Sequence, residues 1–269
     1  MAGRLRGVRA KIERADECVK NLNLEIRRFL GSDPKPYLVI KELENEARDY
    51  IFKIRRINEP PDRFAVLAGE IIHHLRSSLD HLFCALVERA GNTVKIGHSF
   101  PICASKKEFR KACEKGAIKD IRASAAKIIT RIQPCNASPT PRDTILSAVR
   151  EMNNTDKHQL LLVTTATAEV GQNIDILSVG QDIAGDIPAI IRFGPSRIIE
   201  ITEDDKEFWR ISLDTPTPGF EADADVAVAV AFRDCGLAKL IDLTKVLPGM
   251  VAAITHTINE FRGEFDPDD

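Results

Sequence analysis

The stretch from Pro61 to Ala90 constrains this chain most, because it reads as one long helix with two unlike sides. Advancing by about 100° per residue, Ile71, Ile72, Leu75, Leu79, Leu82, Phe83 and Leu86 fill one arc. His74, Ser77 and His81 fall nearly on one line opposite, with His73, Arg76 and Asp80 beside them. A solvated helix face carries mostly Lys and Glu. Between Glu70 and His81 this one gathers three His, an Arg, an Asp, a Glu and a Ser, a composition wrong for a surface that meets only water.

A partner for the apolar arc lies at the start of the chain. From Leu5 the apolar residues recur at Val8, Ile12, Ala15, Val19, Leu22, Ile26 and Phe29, and Gly31 and Pro34 end the pattern. Steps of three and four without a break predict a helix lying along another helix of the same chain. Its other face carries Arg4, Arg6, Arg9, Lys11, Arg14 and Lys20, the strongest local basic surface. Between these two helices, Tyr37–Leu43 and Tyr50–Ile57 predict a β-hairpin. Pro60-Pro61-Asp62 then suits a helix start, since proline costs little in the first turn and Asp complements the dipole.

Further on, short helices are expected around Ser105–Glu114 and Arg122–Ile132, and another carries Ile145, Leu146, Val149 and Met152 on one side. It runs into Asn153-Asn154-Thr155-Asp156-Lys157-His158, a polar junction placed to face a cleft before a strand at Leu160–Thr165. An antiparallel sheet should follow, with strands at Ile174–Val179, Ala189–Phe193, Arg197–Thr202, Phe208–Leu213 and Asp225–Arg233, the last half-buried because Val226, Val228, Val230 and Phe232 alternate with alanines. The helical pattern from Leu237 to Phe261 is interrupted at Pro248, which is expected to open a second helix. The fold class is therefore α+β. Residues 1–159 form a helical bundle with a short hairpin at 37–57, 160–234 an antiparallel β insertion, and 235–269 the C-terminal helices that complete the bundle.

A net charge of −2 over 269 residues gives no global case for nucleic acid, so only local charge can make one. The sheet region is acidic at Glu203-Asp204-Asp205 and Glu221–Asp225, which would repel a phosphate backbone. With no apolar run of membrane length and no signal-peptide pattern at the amino terminus, a cytoplasmic protein without a membrane partner is expected. Six cysteines with no Cys-x-x-Cys pair predict packed, reduced thiols rather than a disulfide scaffold or zinc ribbon.

Three chemistries compete for the polar face. Arg76 and Asp80, four residues apart, can satisfy one another as an ordinary helix pair. Glu70 and His74 could hold a metal with His158 or Asp156, whereas Glu70 and His81 lie about 16 Å apart along the axis and cannot share an ion. The third reading rests on Arg76-Ser77-Ser78-Leu79-Asp80-His81. An Arg followed after four residues by His within a bundle helix resembles the catalytic motif of the HEPN superfamily, α-helical proteins that include metal-independent ribonucleases.

That resemblance implies a homodimer in which two Arg–His pairs line one cleft, RNA as substrate, and no cofactor or metal. His81 would act as general base or acid at the ribose 2′-hydroxyl and leaving oxygen, Arg76 would hold the phosphate, and a cyclic 2′,3′-phosphate would be the product. Arg76 and His81 are about 140° apart around one helix, so their target must sit above both or be shared with the dimer mate. Glu70, His73, His74, Ser77 and Asp80 would support the site, and Asn154, Asp156, Lys157 and His158 would form a second wall. The alternative is a non-enzymatic protein binding a nucleotide, ligand or partner through the same cleft. His98 and His256 are expected to be structural. Gly69-Glu70, Leu75-Arg76-Ser77, Leu79-Asp80-His81, Phe100-Pro101, Gln133-Pro134 and Asn154-x-Asp156-Lys157-His158 also resemble a widespread family of uncharacterised bacterial proteins, which implies no function.

Overall fold

The computed structural model describes residues 3–46, 48–137, 144–167, 174–178, 192–193, 198–213, 221–224, 226–233 and 240–266. The protein is mixed α+β. Helix α1 (Arg6–Leu30) buries Val8, Ala15, Cys18, Val19, Leu22 and Ile26 as one stripe. Helix α2 (Asp62–Arg89) buries Ile71, Ile72, Leu75, Leu79, Leu82, Phe83 and Leu86 against it. Gly7 lies against His81, Cys18 against Glu70 and Glu25 against Arg63, so the two helices run antiparallel.

The hairpin of β1 (Tyr37–Glu44) and β2 (Asp49–Arg56) joins them, in the register Tyr37↔Arg56 to Glu44↔Asp49. Two short helices follow, α3 (Lys106–Glu114) and α4 (Ala123–Arg131), then α5 (Ile145–Asp156). Ser105 caps α3 by accepting the Glu108 N–H, while Glu108 reaches back to the N–H of Ala104. Serine followed three residues on by glutamate is thus a start signal that the chain uses. Helices α5 and α6 (Leu243–Asn259) both pack on α2, and α6 also packs on α1.

Among the described residues, the strands β3 (Val163–Thr167), β4 (Ile174–Ser178), β5 (Arg192–Phe193), β6 (Lys206–Ser212), β7 (Glu221–Ala224) and β8 (Val228–Phe232) are distributed over three antiparallel sheets. β6 pairs with β2, giving the order β1-β2-β6-β5, so the hairpin between the first two helices and the later β segment share one sheet. β3 pairs with β8, and β4 with β7. Among the described residues there are two cores. The helical one extends to Ala166, Val230, Ala231 and Phe232, and the sheet core gathers Tyr50, Phe52, Ile54, Phe208, Trp209, Ile211 and Val226.

Four expectations need correction. Pro248 lies inside a single helix, α6, which Asp242 caps by accepting the Thr244 N–H. Leu243, Leu247, Met250 and Ile254 are buried straight through the proline, and that continuous contact outweighs one lost backbone bond. Among the described part of Arg197–Thr202 there is no strand, only an isolated bridge of Glu200 with Ala166. β8 is not half-buried, because Ala229 and Ala231 are covered as fully as Val230 and Phe232. The strand after α5 begins at Val163 rather than Leu160. Residues 168–173, 179–191, 194–197 and 234–239 lie outside the described residues, and with them parts of the expected strands and the start of the expected C-terminal helix. No helix among the described residues is long and apolar enough to cross a membrane.

Candidate functional site

Helix α2 divides its polar face between two neighbours. His73, Arg76, Ser77 and Asp80 line a cleft of about 840 Å³ with Arg150, Asn153 and Asn154 of α5 and Lys157 just past its end. Glu70, His74 and His81 are absent from that lining and lie on the side of α1. A Cβ on Gly7 would fall 2.6 Å from Nδ1 of His81, and Glu70 accepts the Cys18 thiol at 3.8 Å. The face expected to meet something other than water is also partly open, since Glu70, His73 and His81 are exposed while Arg76, Ser77 and Asp80 are half-buried.

At the floor of the cleft Arg76 and Asp80 do more than pair with each other. Nη2 of Arg76 donates to Oδ1 of Asp80 at 2.7 Å and to the carbonyl of Phe100 at 2.9 Å. The same Asp80 oxygen accepts the Phe100 N–H at 2.9 Å. Both peptide groups of one loop residue are thereby held by side chains one helical turn apart. Burial dominates the titration of each partner, pushing the Asp80 carboxyl up and the Arg76 guanidinium down against the attraction between them. Nη1 of Arg76 is buried with no hydrogen-bond partner among the described residues.

The other end of the Phe100–Cys103 segment is fixed by Gln133, which is 1% exposed. Its amide donates to the carbonyls of Pro101 and Ile129 and accepts the Cys103 N–H at 3.0 Å. Phe100 also meets Phe261 edge to face. Leu79-Asp80, Phe100-Pro101 and Gln133-Pro134, far apart in sequence, are thus parts of one clamp that seats a loop on α2. Burial raises the Cys103 thiol to about 11, so this cleft-lining cysteine stays protonated and unreactive.

Beyond the clamp the lining continues through Lys95–Ser99, Ala112, Lys115–Ala117, Lys119 and Asp120. His98, expected to be structural, braces this wall, with Nδ1 accepting the Lys95 N–H at 3.2 Å and Nε2 lying 3.2 Å from Asp120. Both ring nitrogens are occupied, so His98 is no free base. His256 is exposed beside Glu260.

The expected second wall is only half assembled. Asn154 and Lys157 line the cleft, but Asp156 turns onto Gly69 and His158 is exposed outside it. Burial raises the Asp156 carboxyl, and nearby His73 opposes that shift. The metal set of Glu70, His74 and His158 is not brought together, because Glu70 and His74 lie beside α1 while His158 is exposed past the end of α5. Among the described residues no group of three His, Cys, Asp or Glu is placed to hold an ion.

Arg150, Lys95, Lys115 and Lys119 were missed by the sequence reading, and only their basic character could have flagged them. The lining contains six Lys or Arg (Arg76, Lys95, Lys115, Lys119, Arg150, Lys157) against two carboxylates, Asp80 and Asp120. Arg76 is paired within the cleft and Arg150 with Glu108, which leaves four lysines without an ion-pair partner among the described residues. No protein-family model, curated protein or solved structure matches this chain.

Proposed function

We propose that the protein binds a phosphate-bearing ligand in the cleft between α2, α5 and the loops around α3. The observation that carries this reading is the local excess of cations, six against two carboxylates, in a chain whose net charge is −2. Lysine ammoniums suit phosphate as mobile point charges, and the cleft volume is within the range of small-molecule sites. With Arg76 tied to Asp80 and Phe100, and His81 on the α1 side, binding is better supported than chemistry in a single protomer. Calorimetric titration with pyrophosphate at low and near-physiological salt tests it. At least one of Lys157→Ala and Lys119→Ala should weaken binding about three- to tenfold, and added salt should weaken it further. No binding at low salt, or binding indifferent to both substitutions, rejects the proposal.

One observation favours a second reading, the HEPN-like metal-independent RNA endonuclease: the Nη1 group of Arg76 lacks an acceptor at the cleft floor. This reading requires a homodimer, since His81 must come from a second copy. Cleavage of labelled RNA in EDTA should then vanish in Arg76→Ala and His81→Ala, and return when the two variants are mixed. Failure of mixing to restore cleavage excludes the shared site.

A further inference from the structure

The four lysines of the cleft that lie outside its ion pairs are carried by two separate parts of the fold. Lys157, with His73 and Asn154, occupies the end where α5 finishes. Lys95, Lys115 and Lys119 occupy the other, on the loop after α2 and the connection after α3. The two arginines of the lining are already compensated, Arg76 by Asp80 and Arg150 by Glu108, and Asp80 also feels the charge of Lys157.

Helix α2 supplies a ruler. His73 and Phe83 are the first and last residues of α2 in the lining, and ten residues at the α-helical rise span about 15 Å. The second end is held together by bonds of its own. Asn92 Nδ2 donates to the Asp120 carbonyl at 2.8 Å, and the contacts of His98 with Lys95 N–H and Asp120 tie the loop of Lys95 to the segment of Lys119. The alkyl chain of Lys119 lies over Gly116, where a Cβ would come within 2.7 Å of it.

Resting on the phosphate-binding reading, we infer that the cleft takes a ligand with two separated anionic groups, one at each end: a small bisphosphate with a neutral spacer. A single phosphate can meet only one end and leaves the like charges at the other uncompensated. Adjacent phosphates, as in pyrophosphate, gain little more. A spacer lets both ends act on one molecule.

The test is titration of the full chain with inorganic phosphate, pyrophosphate and a series of linear alkanediol bisphosphates of increasing length. Affinity should pass through a maximum at an intermediate length, at least about tenfold tighter than phosphate. Lys157→Ala and Lys119→Ala should each remove about that factor and abolish the maximum. Both lysines are exposed, so the variants should fold, which circular dichroism checks. If pyrophosphate or the shortest bisphosphate binds as tightly as any longer one, or if both variants keep the maximum, the two-ended ligand is wrong while phosphate binding stands. If no phosphate compound binds, both proposals fall.

Discussion

Asp80 spends one carboxylate oxygen on two donors, the guanidinium of Arg76 and the amide of Phe100. Removing it strands a largely buried cation and a loop N–H together. Asp80→Ala is therefore predicted to cost about 2–3 kcal/mol in urea unfolding, with much of the loss recovered when Arg76 is replaced by Met in the same chain. A second prediction concerns Gly69, where an added Cβ would sit 2.2 Å from Oδ1 of Asp156. Gly69→Ala should destabilise by about 1–2 kcal/mol, and Asp156→Ala should relieve that cost, which a double-mutant cycle measures. The sequence revealed Arg76 and Asp80 as a helix pair. It concealed Phe100 as their joint partner, since a backbone group that accepts a side chain leaves no mark on residue type. The role of Gln133, named only as part of a resemblance, was hidden for the same reason: it lies in main-chain atoms of residues 101, 103 and 129.

Periodicity located α1, α2 and the hairpin to within a residue or two, because each buries one continuous stripe that its neighbour must match. The polar stripe of α2 was legible as a stripe but not as two half-faces. Angular arithmetic on one helix cannot say that α1 claims His74 and His81 while the cleft claims His73 and Arg76. This division gives the α1–α2 contact a pH dependence. Burial lowers the His74 imidazole, helped by Lys11, His73 and Arg14 and opposed by Glu70, and its Nδ1 is buried without a partner among the described residues. The unfolded chain takes up a proton near the ordinary imidazole value of about 6.5, whereas the folded chain resists until lower pH. Stability should thus fall as pH drops below that value and level off once the folded-state imidazole is charged. Denaturant midpoints across this range should show a shallower fall in His74→Gln. In α6, Pro248→Ala restores a backbone donor in a continuous helix. A gain of about 1–2 kcal/mol is expected, read as a higher melting temperature.

At the scale of the whole molecule, β8 joins the two cores, with Val226 and Val228 at the sheet core and Val230, Ala231 and Phe232 in the helical one. The hairpin ties them a second time, because it is covalently continuous with α1 and α2 while β2 pairs with β6. Val230→Ala, at a position with no exposure, should cost about 1–3 kcal/mol. Native-state hydrogen exchange should accelerate by the same factor at the slowest amides of α2 and β2, as expected for a single cooperative unit. Strands on both sides of the helices were legible in the sequence but their partnership was not, since β2 and β6 are separated by some 150 residues and strand pairing carries no local signature.

The sheet core has an optical consequence. Tyr37, Tyr50 and Trp209 are all the tyrosine and tryptophan in the chain, and each packs in or against that core. Intrinsic emission therefore watches one side of the molecule, while the four long helices and the lysine-rimmed cleft have no fluorophore of their own. An unchanged emission spectrum on adding a phosphate compound would say nothing about whether the cleft had filled. A tryptophan placed at Ile96, an exposed side chain on the cleft wall, would give that site a signal.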